Sequence, residues 1–584
     1  MEFVSPTPPP QGGFHPQGML SCENLSVQAG PGGPLILNQA SARFLPRGLN
    51  AVIGPSGCGK TTLMKAILGI LPSTGTAYLN NEAIQRPEDL VGRVGFAPQF
   101  TTAQPQLTVA ESLGYALRLT VSESAVRAER LERVLEVTGL AEHRDKRVGS
   151  LSGGQLRRLS LGLELTLDPS CMVCDEVTSG LDPHSEDQIL ALLRRLATER
   201  GKSFACIIHN LAKLALFDWI TVVYQGDVVF QGSYPELLAH FGVDDGLRLY
   251  EVLNRQDLAH WRARRAERAE AEAADFAAAA ANVAVAANPE PVAPAPALPS
   301  GASQLATLLA RRLRLFFRDT GYLGLTMAIT FGFPLLVVIF NLTGTWDVRK
   351  VPMERSTASL EAIQQAVAVQ VHNAQVANLA AGLVMFQVIL LTLMGANNGG
   401  REISAERVLY EKERMTGLSP LAYALSKMGF VSLLALLQGA WMCAFVKVIC
   451  QFPGPWGEQL AVLAASCVSM SVVCLGFSAL LVSPEKSSLL SIYLVGFQLP
   501  LSGVVLALPE ALTWVCRPFI NAYWGWSGTM KSMAGTPIWD AYTASLPDKG
   551  SYVADNETAL LVLLAQGMVG AAMILVGCQQ KRWS

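Results

Sequence analysis

The sequence predicts an α/β domain followed by an all-α domain of six transmembrane helices. Three observations lead to it. Half of the 584 residues are hydrophobic and the mean hydropathy is +0.31, too apolar for a water-soluble chain of this length. The excess is uneven: the first half alternates short apolar runs with polar segments, while the second half carries runs of membrane-spanning length. A glycine-rich turn in the first half stands between an apolar strand-like run and a segment of helical period.

A single hydrophobic core rarely grows past about 250–300 residues, so at least two domains are expected. The composition shifts divide the chain into a disordered N-terminus (1–17), an α/β domain (18–250), a charged helix with an Ala/Pro linker (251–303) and a membrane domain (304–584). The formal net charge of −2 shows no basic excess, which argues against a nucleic-acid partner. The eleven cysteines are scattered and lack the two CxxC pairs of a typical metal site. Cys58, Cys171, Cys174 and Cys206 fall in interior-like segments, as small hydrophobes of a reducing compartment. Cys450 and Cys516 lie near expected outer loops, where they could pair within or between chains or serve only as packing residues. The opening MEFVSPTPPPQGGFHPQG has neither a basic start nor an apolar core. No signal peptide is therefore expected, and the first domain should stay on the side of synthesis.

In GLNAVIGPSGCGKTT, residues Gly54, Pro55, Ser56, Gly57, Cys58, Gly59, Lys60, Thr61 and Thr62 have P-loop spacing. The glycines let backbone N–H groups approach phosphates, Lys60 reaches the β/γ oxygens, and Thr61 offers a hydroxyl to Mg²⁺. The following helix adds its N-terminal field. Strand and helix on either side make a chance glycine turn a poor alternative. CMVCDEVTSGLD is an apolar strand ending in Asp175 and Glu176. An acid there holds Mg²⁺ through water, and its neighbour polarises the attacking water. Two solvated carboxylates would be the plain reading of the pair in isolation.

Between these segments, LSGGQLRRLSLGLEL opens with Ser152, Gly153, Gly154 and Gln155 before a leucine-rich helix. An ordinary capped helix has no evident need for two glycines after its cap. The run Leu151–Gln155 matches the signature of ABC ATPases, and here the chain resembles that family. Other family elements follow in order: Gln99 in VGFAPQF resembles the Q-loop glutamine, which touches Mg²⁺ and couples to the membrane domain. The Ser179–Asp182 run resembles the D-loop, and His209 in ACIIHN resembles the switch histidine that contacts the γ-phosphate. The resemblance implies ATP and Mg²⁺ as cofactors, with Thr61, Gln99 and Asp175 toward the metal. It implies Glu176, His209 and Gln99 in catalysis. Ser152, Gly153, Gly154, Gln155 and Asp182 would meet nucleotide across a dimer, because one chain holds one P-loop and one signature. The partner is then a second copy or a related half-transporter. Two positions depart from the family: Val177 replaces the usual proline, and no aromatic stands near Gln28 and Ala29 to stack on adenine. The second departure implies modest nucleotide affinity.

LNRQDLAHWRARRAERAEAEAADF reads as an exposed charged helix, and the Ala/Pro stretch after it as a tether. QLATLLARRLRLFFR (304–318) is basic and amphipathic, suited to the cytoplasmic interface with its arginines toward headgroups. Six apolar runs follow: 322–342, 376–396, 422–448, 460–482, 488–508 and 558–578. Arg311, Arg312, Arg314, Arg318, Arg401, Arg407, Lys412, Arg414, Lys427, Lys486, Lys581 and Arg582 fall on one side of these spans. That distribution puts both termini in the cytoplasm.

The ATPase-first order, the segment Ala405–Lys427 and the run LSGVVLALPEALTWVCRPFINAYWGW resemble half-transporters of the ABCG (White/pigment) subfamily, whose membrane domain is of the ABC-2 type. The resemblance implies export or flipping, by alternating access, of a lipid-like or amphipathic substrate across the plasma (inner) membrane. It also implies a cavity near Phe386, Gln387, Phe497 and Gln498, residues equally suited to helix packing. Spans without mid-membrane charge favour lipids over ions or sugars. The rival reading is a membrane-anchored ABC ATPase with a regulatory or mechanical role and no transported substrate. A polysaccharide exporter is disfavoured, since those split the two domains between chains.

Overall fold

The computed structural model describes residues 18–30, 32–99, 101–286, 297–340, 346–350, 360–504, 508–545 and 553–580. The expected disordered N-terminus (1–17) and most of the Ala/Pro tether lie outside them. The chain forms two compact units that divide at Ser300, with the short segment Lys412–Leu418 grouping with the first.

In the first unit, β1 (Leu20–Gln28), β2 (Leu35–Arg43), β4 (Thr74–Leu79) and β5 (Glu82–Ala83) make an antiparallel sheet of order β2-β1-β4-β5. The larger sheet runs β10-β9-β3-β8-β7-β6. Its strands are β3 (Gly48–Ile53), β6 (Val94–Ala97), β7 (Cys171–Asp175), β8 (Ser203–Ile207), β9 (Trp219–Tyr224) and β10 (Asp227–Gly232). All neighbours in it are parallel except the β9–β10 hairpin. β3, β7, β8 and β9 are buried along their whole length, which is why they read as unbroken apolar runs rather than alternating ones. Cys171 and Cys174 share a CxxC spacing but pack into separate cores on the two faces of β7, as the strand period of two requires. Burial pushes the Cys171 thiol up to about 12.

The covering helices are α1 (Lys60–Ile67), α2 (Val109–Thr120), α3 (Ser124–Val137), α4 (Gly153–Leu165), α5 (Pro183–Arg200), α6 (Tyr234–Phe241) and α7 (Leu249–Leu253). α8 (Leu258–Glu267) and α9 (Ala269–Ala286) are exposed or half-exposed over most of their described residues, and α8 also makes contacts that the sequence does not show. Trp261 is only 1% exposed, and its indole N–H donates to the Leu253 carbonyl at 3.1 Å. Arg262 pairs with Asp227, and Arg265 donates to the carbonyls of Val228 and Ser41 as well as to Glu272. The Arg/Glu alternation therefore satisfies strand-edge carbonyls and acids of the same unit. The open edge of a sheet accepts such donors as readily as water does.

The second unit is helical: α10 (Gly301–Arg318), α11 (Thr320–Ile339), α12 (Leu360–Gly399), α13 (Arg407–Met415), α14 (Pro420–Cys450), α15 (Trp456–Leu480), α16 (Pro484–Leu501), α17 (Glu510–Cys516), α18 (Asn521–Lys531), α19 (Pro537–Ser545) and α20 (Asn556–Gln579). Among the described residues, five stretches are long and apolar enough to cross a membrane: Thr320–Ile339, Ile363–Met415, Pro420–Cys450, Trp456–Leu480 and Asn556–Gln579. The expected fifth run, 488–508, overlaps α16, an 18-residue helix that ends at Leu501, and residues 505–507 of the run lie outside the described residues. Pro484, Glu485 and Lys486 in its first turn and Pro500 near its end lower its apolar content. α12 is 40 residues long, roughly 60 Å at 1.5 Å per residue, far more than the expected 376–396. Outward apolar side chains such as Phe331, Leu335, Leu437, Leu564 and Met568 suit a lipid solvent.

Buried polar groups in this unit join helices. The Asn398 amide donates to Gln438 at 2.6 Å, and Gln438 donates to Thr330 at 3.0 Å. Ser466 donates to Asn521 at 2.6 Å, and Asn521 to Gln566 at 3.1 Å. The two glutamines proposed near a cavity are spent similarly: Gln387 donates to the Met442 carbonyl, and Gln498 accepts from the Ala522 N–H at 3.0 Å. α10 also differs from expectation. Arg311 is buried and Arg312 makes a two-pronged pair with Glu402, so these two arginines face protein rather than headgroups. Lys427 closes the cluster on Glu402 and Glu406. Cys450 is buried and Cys516 half-buried, and neither is in a disulfide.

Candidate nucleotide site

Strand order explains how distant segments meet. Along the sheet the parallel strands run β3, β8, β7, β6, and each is followed at its C-terminal end by one expected functional segment. The P-loop follows β3, His209 lies two residues past β8, Asp175 and Glu176 end β7, and Gln99 lies two past β6. Ligands of open α/β sheets bind along this edge.

Gly54 through Gly59 form the turn and Lys60 opens α1. The Lys60 ammonium donates to the Gly54 and Pro55 carbonyls at 2.8 and 3.0 Å. Thr61 follows in α1, and its hydroxyl donates to Asp175 Oδ1 at 3.1 Å, so two of the three expected metal-facing residues meet. Burial pushes the Asp175 carboxyl above its ordinary value, opposed by the Thr61 bond and reinforced by the charge of Glu176. Burial likewise raises the Cys58 thiol, against the pull of Lys60, and leaves it unreactive. Ser56 is exposed, and Thr62 is half-buried one residue further along α1.

The three residues expected in catalysis meet at Glu176. The Gln99 amide donates to its Oε2 at 2.7 Å, and His209 Nε2 lies 2.5 Å from Oε1. Gln99 therefore stands on the glutamate side of the site rather than beside Thr61 and Asp175. Glu176 has φ +52°, a left-handed backbone uncommon for a side chain of this kind. Val177, in the place of the family's proline, is 2% exposed and packs into the core.

A second group sits at the N-termini of α4 and α5. Ser152 caps α4: its hydroxyl accepts from the Gln155 N–H at 3.4 Å, and Gln155 Oε1 accepts from the Ser152 N–H at 3.1 Å. This is a capping box, so the plain capped-helix reading is realised here too. The two glycines differ. A Cβ on Gly154 would lie 3.0 Å from the Ser185 hydroxyl of α5, whereas one on Gly153 would make only ordinary contact with Leu181. Asp182 caps α5 by accepting from the Ser185 N–H at 3.0 Å, and Ser185 holds its carboxyl below the usual value.

Sequence reading missed Arg157. From α4 its guanidinium donates to the Gln99 and Ser179 carbonyls, joining the glutamine loop to the loop after Glu176. Burial lowers its pKa, with the charge of Glu176 opposing. Its place in LSGGQLRR was visible; its partners were not.

The sequence matches the ABC transporter family over residues 37–179 and the ABC-2 type transporter family over residues 303–523. Among similar proteins, the ABC transporter ATP-binding/permease protein Rv1747 of Mycobacterium tuberculosis is 28% identical over 523 residues, 85% of this chain and 56% of that protein. ABC transporter G family member 28 of Arabidopsis thaliana is 32% identical over 38% of this chain and 21% of its own length. Methionine import ATP-binding protein MetN 2 of Burkholderia mallei is 34% identical over 35% of this chain and 53% of its own length. The chain thus spans about half the length of the first and third relatives and less of the second. It carries the two domains of ABC transporters in one order, an ATPase domain ahead of an ABC-2 type membrane domain.

Proposed function

We propose that this chain is half of an ATP-driven transporter, which pairs with a second copy or a related half and moves a lipid-like or amphipathic substrate outward by alternating access. The observation that carries the reading is the convergence of Gln99 and His209 on Glu176, beside a P-loop, in a chain that also carries long apolar helices. Glu176 is the acceptor for a proton from water. Gln99 and His209 hold its two carboxylate oxygens in place, which keeps it oriented without neutralising it. Lys60 exchanges its loop carbonyls for phosphate oxygens. Loop N–H groups and the N-terminus of α1 stabilise the negative charge there.

Mg²⁺ fits the Thr61–Asp175 pair. Both are hard oxygen ligands, and a partly buried carboxylate gains from a cation. Among the described residues no group of three or more His, Cys, Asp or Glu is placed to hold a metal, so the rest of its coordination would come from water and phosphate. When bound, the ion neutralises phosphate charge.

The two capped helix ends at Ser152–Gln155 and Asp182 present N–H groups to a nucleotide held by the partner, so a competent site takes two chains. Both termini would be cytoplasmic in the plasma (inner) membrane. Glu176→Gln should retain ATP binding and lower hydrolysis by about a hundredfold or more, measured as phosphate release from purified protein; unchanged release removes Glu176 from the reaction. Nucleotide-dependent movement of a labelled lipid in proteoliposomes tests transport. Hydrolysis without movement of any tested lipid or drug would favour the regulatory reading.

A further inference from the structure

One tyrosine outside every family motif touches the P-loop. The Gly54 N–H donates to the Tyr250 hydroxyl at 3.1 Å, across 196 positions of sequence. On the other side of the same α-carbon, the Gly54 carbonyl accepts from Lys60 at 2.8 Å. Gly54 has φ +152°, and a Cβ there would fall 2.1 Å from the Val223 carbonyl and 2.7 Å from Cys58 Sγ. Only glycine fits, and glycine brings the softest torsions to the start of the loop. The two hydrogen bonds hold the peptides on either side of it.

Tyr250 is itself held firmly. Its neighbours in α7, Leu249 and Leu253, are fully buried. The Leu253 carbonyl accepts from buried Trp261 of α8, whose ring lies 4.8 Å from that of Phe241. The next residue, Arg262, pairs with Asp227. The preceding residue, Gly226, donates its N–H to the Cys58 carbonyl of the P-loop at 3.0 Å. The charged helices therefore reach the P-loop by two routes, through Tyr250 and through the β9–β10 turn. Burial pushes the Tyr250 phenol up to about 12, so it remains an uncharged hydroxyl at neutral pH.

We propose that Tyr250 is a positioning residue for the nucleotide reaction: its hydroxyl sets the Gly54 peptide and so the curve of the P-loop, and α8 splints the tyrosine. The proposal rests on the nucleotide-binding reading above.

Tyr250→Phe keeps the ring and removes only the hydroxyl. In the full chain purified in detergent, it should raise the KM for ATP roughly fivefold, the size of one net hydrogen bond, with kcat within about twofold. In a Glu176→Gln background, where hydrolysis does not intervene, the Kd of a fluorescent ATP analogue should rise by the same factor. Trp261→Phe, which keeps the hydroxyl, should lower the melting temperature and move KM less. An unchanged KM and Kd in Tyr250→Phe, or a loss confined to kcat and melting temperature, overturns the proposal. The two readings fail separately. Absence of both ATP binding and ATP hydrolysis in the unsubstituted chain would remove the nucleotide reading, whereas hydrolysis abolished by Glu176→Gln with a silent Tyr250→Phe would remove the tyrosine alone.

Discussion

Lys60 in the first unit and Lys447 in the second are both buried, at 6% and 7% exposure, and both ammonium groups are hydrogen-bonded to oxygens that carry no charge. Lys60 holds the Gly54 and Pro55 carbonyls of its own loop. Lys447, near the C-terminal end of α14, holds the Phe452 and Gly454 carbonyls and Gln459 Oε1, at 3.2, 2.9 and 2.6 Å. Gln459 in turn donates to the Pro453 carbonyl and to Ser532. The difference lies in what surrounds each lysine. Lys60 is on a glycine-rich turn at a helix N-terminus, where an incoming anion can replace the carbonyls. Lys447 is at a helix C-terminus, where cations are favoured and anions are not, and its partners are tied to a third element. The first bond is made to be exchanged. The second is a staple for the turn between α14 and α15.

Substitution at each position separates the two roles. Lys60→Met should show the largest effect, a loss of ATP hydrolysis of about a hundredfold or more with little change in melting temperature, measured on purified chain. Lys447→Met should do the reverse. Stranding Gln459 and two buried carbonyls should cost about 2–4 kcal/mol, read from unfolding in detergent, while ATP affinity stays the same. Equal loss of both properties in either variant would break the contrast.

The smallest effect concerns acid. His240 of α6 is buried among Phe230, Phe241 and Trp261, and burial, aided by Arg264 and Arg268, lowers its pKa to about 4. The fold therefore favours the neutral ring. The stability this contributes is fully present above the unfolded value near 6.5 and is lost as pH falls from there toward 4. His240→Phe should remove about 2 kcal/mol of that acid sensitivity, seen as a flatter melting temperature between pH 7 and 4. An identical acid slope in the variant would show that the loss arises elsewhere.

The two units were unequally legible. Gly54–Thr62, Asp175, Glu176 and Ser152–Gln155 could be read because each rests on short-range geometry: a turn that needs glycines, a strand ending in acids, a capped helix. The ABC transporter family match covers the same stretch. The charged helices were read as exposed, which most of their described residues are, but the bonds of Arg262 and Arg265 could not be foreseen, because an Arg/Glu alternation looks the same in water as against a sheet edge. Arg312 of α10 was misread because Glu402 and Glu406, which draw it and Lys427 inward, lie some ninety residues from it. Lys447 drew no notice at all: one lysine at the end of an apolar run carries no pattern. Gln387 and Gln498 were placed between two readings, and their backbone bonds put them with helix packing.

What the sequence determined by itself is the order of two domains, the glycine-rich loop and the carboxylate that ends a strand, because those follow from spacing within a few turns of chain. Only the tertiary structure decided that Gln99 and His209 meet on Glu176, that Arg157 joins the Gln99 loop to the loop after Glu176, and that Tyr250 reaches Gly54. Each of these joins elements set side by side by strand order and packing. A single hydrogen bond between residues up to nearly two hundred positions apart leaves no periodicity along the chain.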